Sequence, residues 1–127
     1  LGSAYQKMDA ARATGDERGR ALCLIKMGEA TVMLGNPNDA WGYIAEAQGL
    51  CGDMKFEEGR AAATNVMAKI HAAKGGDEEE LEEALDSATD ALKLFRKCGY
   101  RKGEAAALTT LASVHQASKK AALAIKS

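Results

Sequence analysis

The chain reads as an all-α fold of stacked antiparallel helix pairs, and three observations lead there. Hydrophobic residues make up 46% of the sequence but aromatics only 5%, so the apolar content is mostly Ala, Leu, Met and Val. Alanine is the best helix former, and small side chains let helices come close. A single proline leaves little to interrupt helices. The third observation is an internal repeat, the feature to seek before any other.

Three segments superpose without gaps, opening at Gly19, Gly59 and Gly103 and running to Thr31, His71 and His115; the glycines are 40 and then 44 residues apart. In each, an apolar residue (Met27, Met67, Leu111) is followed at once by a small one (Gly28, Ala68, Ala112). Three places upstream of that apolar residue stand Leu24, Thr64 and Leu108. This spacing puts an apolar stripe on a helix, with one small residue where a second helix must approach.

A break and a second helical pattern follow each of the first two segments. Gly35-Asn36-Pro37-Asn38-Asp39 supplies turn formers, a proline suited to a first helical turn and an N-cap candidate. The helix behind it carries Ala40, Ile44 and Ala47 on one face. Gly75-Gly76-Asp77 is the second break, and its helix carries Ala84, Ala88 and Ala91 at the same separations. Asp77 to Glu83 holds six carboxylates in seven residues. Acidic residues in a first turn oppose the positive end of the helix dipole, and we read the run as a solvated helix start in preference to a binding patch. Arg96, Lys97, Arg101 and Lys102 form a basic cluster at the next turn.

At these residues the chain resembles the tetratricopeptide repeat, whose first helix carries a large residue, then Leu-Gly, then an aromatic, and whose second carries Ala, an aromatic and Ala. Leu24, Met27, Gly28 and Thr31, then Ala40, Ile44 and Ala47, take those places, with Gly35-Asn36 where the family commonly has Gly-Asp. Thr64, Met67, Ala68 and His71 begin a second repeat that Ala84, Ala88 and Ala91 complete. Leu108, Leu111, Ala112 and His115 begin a third, whose second helix is expected to start near Lys120. The period exceeds the family's usual ~34 residues and is similar to the long repeats of kinesin light chains and Pins-type adaptors. The resemblance implies a right-handed α-solenoid of about six to seven helices, end halves included. A half-repeat over 4–15, repeats over 17–55 and 56–99, and a partial repeat over 100–127 are expected. Leu1-Gly2-Ser3 reads as a cloning remnant, which makes the chain a piece of a larger protein. Exposed apolar ends on such a piece predict self-association.

In the family the first helices line a concave face that receives a peptide or partner helix. The corresponding positions here are Lys26, Glu29 and Met33, then Asn65, Lys69 and Ala73, then Thr109, Ser113 and Gln116. An extended peptide needs its backbone groups satisfied, which Asn65 or Gln116 would do. The implied function is a non-catalytic interaction scaffold. The alternatives are a structural spacer that self-associates through its repeat ends, and a regulatory domain of a larger enzyme.

Other chemistry finds little equipment. No GxSxG, Walker loop, GxGxxG or paired catalytic carboxylate is present, so neither catalysis nor a cofactor is expected. His71 and His115 occupy equivalent places and would need Cys98 to make a metal site, but no HxxxH or CxxC supports one, and both read as substitutes for a packing aromatic. Cys23 lies on an apolar face and reads as a core residue. Cys98, near Lys97, Arg101 and Lys102, is the one thiol with a basic neighbourhood. Three cysteines without paired spacing fit a reducing intracellular compartment such as the cytoplasm. With a net charge of −1 and no long apolar run, neither nucleic acid nor a membrane is an expected partner. Trp41, beside Ala40, is a packing residue in the family and a contact anchor if exposed.

Overall fold

The computed structural model describes residues 16–74 and 77–126, with side chains as far as 120. Five helices account for nearly all of them: α1 Glu17–Met33, α2 Pro37–Met54, α3 Glu57–Ala73, α4 Glu78–Cys98 and α5 Arg101–Lys126. No strand occurs among the described residues. The expected half-repeat over 4–15 and Leu1-Gly2-Ser3 lie outside them, as do Gly75 and Gly76.

Local chemistry sets the helix ends. Asp16 caps α1, its carboxylate accepting from Gly19 N–H at 3.0 Å, and Asp77 caps α4 by accepting from Glu80 N–H at 2.8 Å. At the end of α1, Gly35 takes φ 87° while Gly35 N–H donates to Val32 O and Asn36 N–H to Thr31 O. The left-handed residue thereby satisfies carbonyls that a helix end leaves orphaned. Pro37 then opens α2, where its missing N–H costs nothing. Gly99 (φ 72°) ends α4 the same way, with Tyr100 N–H donating to Phe95 O. Lys55 does so for α2 at φ 55°, the one described non-glycine residue with positive φ. There its Cβ crowds the following carbonyl.

Successive helices run antiparallel. Arg20 of α1 meets Glu46 of α2, and further along α1 Gly28 meets Ile44 and Ala40. Next, α3 lies against α2, with Gly59 against Cys51 and Met67 against Gln48. Helices α1, α3 and α5 touch one another in a row; α2 bridges α1 and α3, and α4 bridges α3 and α5. Between α2 and α4 no contact is made. One buried cluster joins Leu24, Met27, Ile44, Val66 and Ile70 of the first three helices. A second joins Ala61 of α3 to Ala91, Leu92 and Phe95 of α4 and Ala107 of α5. Burying a side chain such as Ile44 stabilises by about 1.5–3 kcal/mol.

Close approach depends on small residues at defined places. A Cβ on Gly28 would stand 2.6 Å from Ile44 Cδ1, so the glycine admits the largest side chain of α2's buried face. A Cβ on Gly59 would meet Cys51 Sγ at 2.7 Å, and one on Gly103 would run into the ring of Phe95. Cys51 and Phe95 are 44 residues apart, as are Gly59 and Gly103, so the same contact recurs with different side chains.

One expectation is overturned. No separate helix starts near Lys120: α5 runs unbroken from Arg101 to Lys126. Ala117-Ser118-Lys119-Lys120-Ala121-Ala122 contains neither glycine nor proline, so nothing offers a left-handed residue to end the helix. Among the described residues no helix is long and apolar enough to cross a membrane.

Three stability outcomes follow from this geometry. Lys55→Gly relieves the strained left-handed position and should raise stability by about 1 kcal/mol, seen as a higher denaturant midpoint at unchanged slope. Gly103→Ala drives a methyl into Phe95 and should cost about 1–3 kcal/mol. By contrast Gly49→Ala, where a Cβ meets nothing within 4 Å, should gain up to about 1 kcal/mol.

Candidate protein-binding surface

The residues expected to line a groove sit on α1, α3 and α5, and the structure treats them unequally. Glu29 and Lys69 are brought together across the α1–α3 seam, with Lys69 Nζ donating to Glu29 Oε2 at 3.3 Å and side chains 44% and 36% exposed. The two positions are 40 residues apart, so the ion pair joins equivalent places on two parallel helices. A half-exposed pair of this kind is worth less than about 1 kcal/mol. It does occupy Lys69, which is then not a free cation awaiting a carboxylate.

Asn65 departs from the expectation. It is only 4% exposed, and its Oδ1 is buried without a hydrogen-bond partner. It lies beneath the surface because it shares a flank of α3 with Ala61 and Ala68, both fully buried. Spacing along the helix places residue 65 between the groove side and that packed flank, a distinction that depends on α4 and α5 being there. Lys26 is exposed, at the position that Val66 occupies on α3, and Val66 packs in the cluster shared with α1. That register puts Lys26 on the flank of α1 directed away from α3. Met33 is 80% exposed at the end of α1, beside the exposed Leu34. Thr109, Ser113 and Gln116 are exposed on α5, though Thr109 Oγ1 donates to its own helix at Ala105 O, 3.0 Å away.

A second group of side chains gathers at the C-terminal end of α3, just beyond Lys69. His71 Nδ1 lies 2.8 Å from Glu80 Oε2, tying the last turn of α3 to the first turn of α4. The Trp41 ring meets His71 edge-on at 5.4 Å between centroids, and Lys74 Nζ lies 5.8 Å from the Trp41 centroid. Trp41 therefore packs on one side and remains 36% exposed on the other. Sequence reasoning assigned His71 to packing but missed its carboxylate partner. The only signal was an acidic residue just beyond the Gly75-Gly76 turn. Farther along, Arg60, Thr64, Asp90, Lys93 and Leu94 line a shallow cleft of about 280 Å³ between α3 and α4.

The cysteines divide by burial. Cys23 and Cys51 are buried and Cys98 is exposed. Burial pushes the Cys51 thiol up, making it a poorer nucleophile near neutrality. The Cys98 thiol donates to Leu94 O at 3.1 Å. Among the described residues no group of three or more His, Cys, Asp or Glu side chains is placed to hold a metal ion. His71 is engaged with Glu80 and His115 is exposed on α5.

No family model matches the chain, and no curated protein matches it.

Replacing Asn65 with leucine, of similar shape, removes a buried acceptor that has no donor. Asn65→Leu should therefore raise stability by about 1 kcal/mol, whereas a residue needed to hold its neighbours by hydrogen bonding would cost stability when lost; thermal and denaturant unfolding separate the two.

Proposed function

We propose that the chain is a non-catalytic protein-interaction scaffold, a tetratricopeptide-like solenoid segment that holds a peptide or partner helix along the row α1–α3–α5. The observation that carries this reading is the pattern of helix contacts. The odd-numbered helices touch in series while α2 and α4 do not touch. Helices that touch in a row lie on the inside of a bend, and those held apart lie on its outside, so the pattern favours a concave inner row. The Glu29–Lys69 pair, which joins places 40 residues apart, and the recurrence of the Cys51–Gly59 contact as Phe95–Gly103 support the same reading. A bent row with mixed short polar side chains and the exposed Met33 suits an extended or helical ligand better than a small molecule.

A second reading, a self-associating spacer, draws support from α5, where Leu108 is 48% exposed with Ala105 and Ala112 exposed beside it. Light scattering across a concentration series separates it from a monomeric binder.

The test of the inner row uses the chain as bait, with Lys69→Glu combined with Ser113→Arg against the unaltered protein. Both positions lie at the surface, so circular dichroism should show the fold retained. Recovery of a partner should fall by about tenfold or more, as for loss of central interface contacts. Unchanged recovery removes the inner row as the binding face.

A further inference from the structure

We propose that the exposed face of Trp41 is a seat for a guanidinium from an arginine-rich segment of a partner protein, a seat that Lys74 holds in the free chain. Trp41 is the chain's single tryptophan. It stands on α2, outside the row α1–α3–α5, and the site shares no residue with the groove positions of that row. The ring is held in a set orientation. His71 meets it edge-on at 5.4 Å between centroids, and Glu80 holds His71 by a 2.8 Å contact. A tryptophan oriented in this way yet 36% exposed loses little freedom when a partner covers it.

That the face accepts a cation is already visible. Lys74 Nζ lies over the ring, 5.8 Å from its centroid, near the outer limit of about 6 Å for an attraction between a cation and an aromatic face. Its ammonium makes no ion pair among the described residues, so this loose contact is what a partner has to displace. The surroundings carry the complementary sign. Lys74 is the C-cap of α3, where the last carbonyls form the negative end of the helix dipole. The first turn of α4, joined to the ring through His71, adds the exposed Glu78 and Glu79, neither of them ion-paired among the described residues. On α2 itself the neighbours of Trp41 on its own side are the uncharged Asn38 and Ala45, three places before and four after.

This chemistry selects arginine over other side chains. A guanidinium stacks flat on an aromatic ring and is more weakly hydrated than an ammonium, so it outcompetes Lys74 for the face. Its planar fork of N–H donors also suits carboxylates, and neighbouring arginines of the same segment would face Glu78 and Glu79. An acidic segment is a poor occupant because it would meet those carboxylates, and an apolar one would cover Lys74 without giving it a partner. The site stands whether or not the inner row binds.

Trp41 emission reads the site directly, because no other tryptophan contributes. Titrating the full chain with a hexa-arginine peptide should change that emission saturably, and a hexaglutamate peptide should not change it. With labelled hexa-arginine followed by anisotropy, Trp41→Leu should weaken binding about threefold or more, as for loss of a cation–aromatic contact. Lys74→Ala vacates the seat and should tighten binding by about the same factor. Ser113→Arg, on the inner row, should leave it unchanged, which keeps the two tests apart. Should Trp41→Leu unsettle the fold by circular dichroism, Lys74→Ala at the helix end decides alone. No saturable change up to about 1 mM overturns the proposal. So does binding indifferent to Trp41→Leu in a folded chain, or to Lys74→Ala, because the peptide would then be following the carboxylates of α4 without using the ring.

Discussion

Close approach to α3 is the constraint on which the rest of the chain depends. This helix touches all four others, and it can do so because so much of its surface is alanine or glycine. Gly59, Ala61, Ala63 and Ala68 are buried, three of them completely, on more than one side of the helix. A helix of larger apolar residues would hold its neighbours farther away and leave voids that these short side chains could not fill. Bulk is supplied from the facing helices, by Leu24, Met27 and Ile44 on one side and by Leu92 and Phe95 on the other. The two clusters share α3 as their common wall. Both are therefore sensitive to its position.

Electrostatics trims this arrangement without holding it together. The Glu29–Lys69 and Arg20–Glu46 pairs lie at seams between helices, with partly exposed side chains that screen well in water. The His71–Glu80 contact is more sheltered, at 14% and 28% exposure, and lies where α3 hands over to α4. Together with Asp77 at the N-cap, it orients the start of α4. The acidic run that looked like a solvated helix start is that for most of its length. Two of its members have structural partners, Asp77 at the N-cap and Glu80 against His71.

A chain built of small residues and few aromatics brings its helices close together. The cleft between α3 and α4 is shallow, lined by the exposed Arg60, Asp90 and Lys93 with the more sheltered Thr64 and Leu94. On the scaffold reading proposed above, a partner is recognised along helix faces, on the polar row formed by α1, α3 and α5.

The all-α class, the helix starts at Pro37 and Asp77, the turn at Gly35 and the buried stripe Ala40–Ile44–Ala47 were legible in the sequence, because each follows from local propensity or from helical period. Cys23 as a core residue was legible for the same reason. The left-handed Lys55 carried no such signal, since lysine does not favour that conformation; it is imposed by the packing of α2 against α3 on either side. The continuity of α5 past Lys120 was decided by helix propensity where a repeat pattern suggested a break. By itself, then, the sequence determined which segments are helical and which face of each is apolar. Only the tertiary structure decided that Asn65 is buried, that Lys69 is taken by Glu29 and that His71 meets Glu80. Helical period fixes the angle of a side chain about its own axis, but only the neighbouring helices determine whether that angle points to protein or to water.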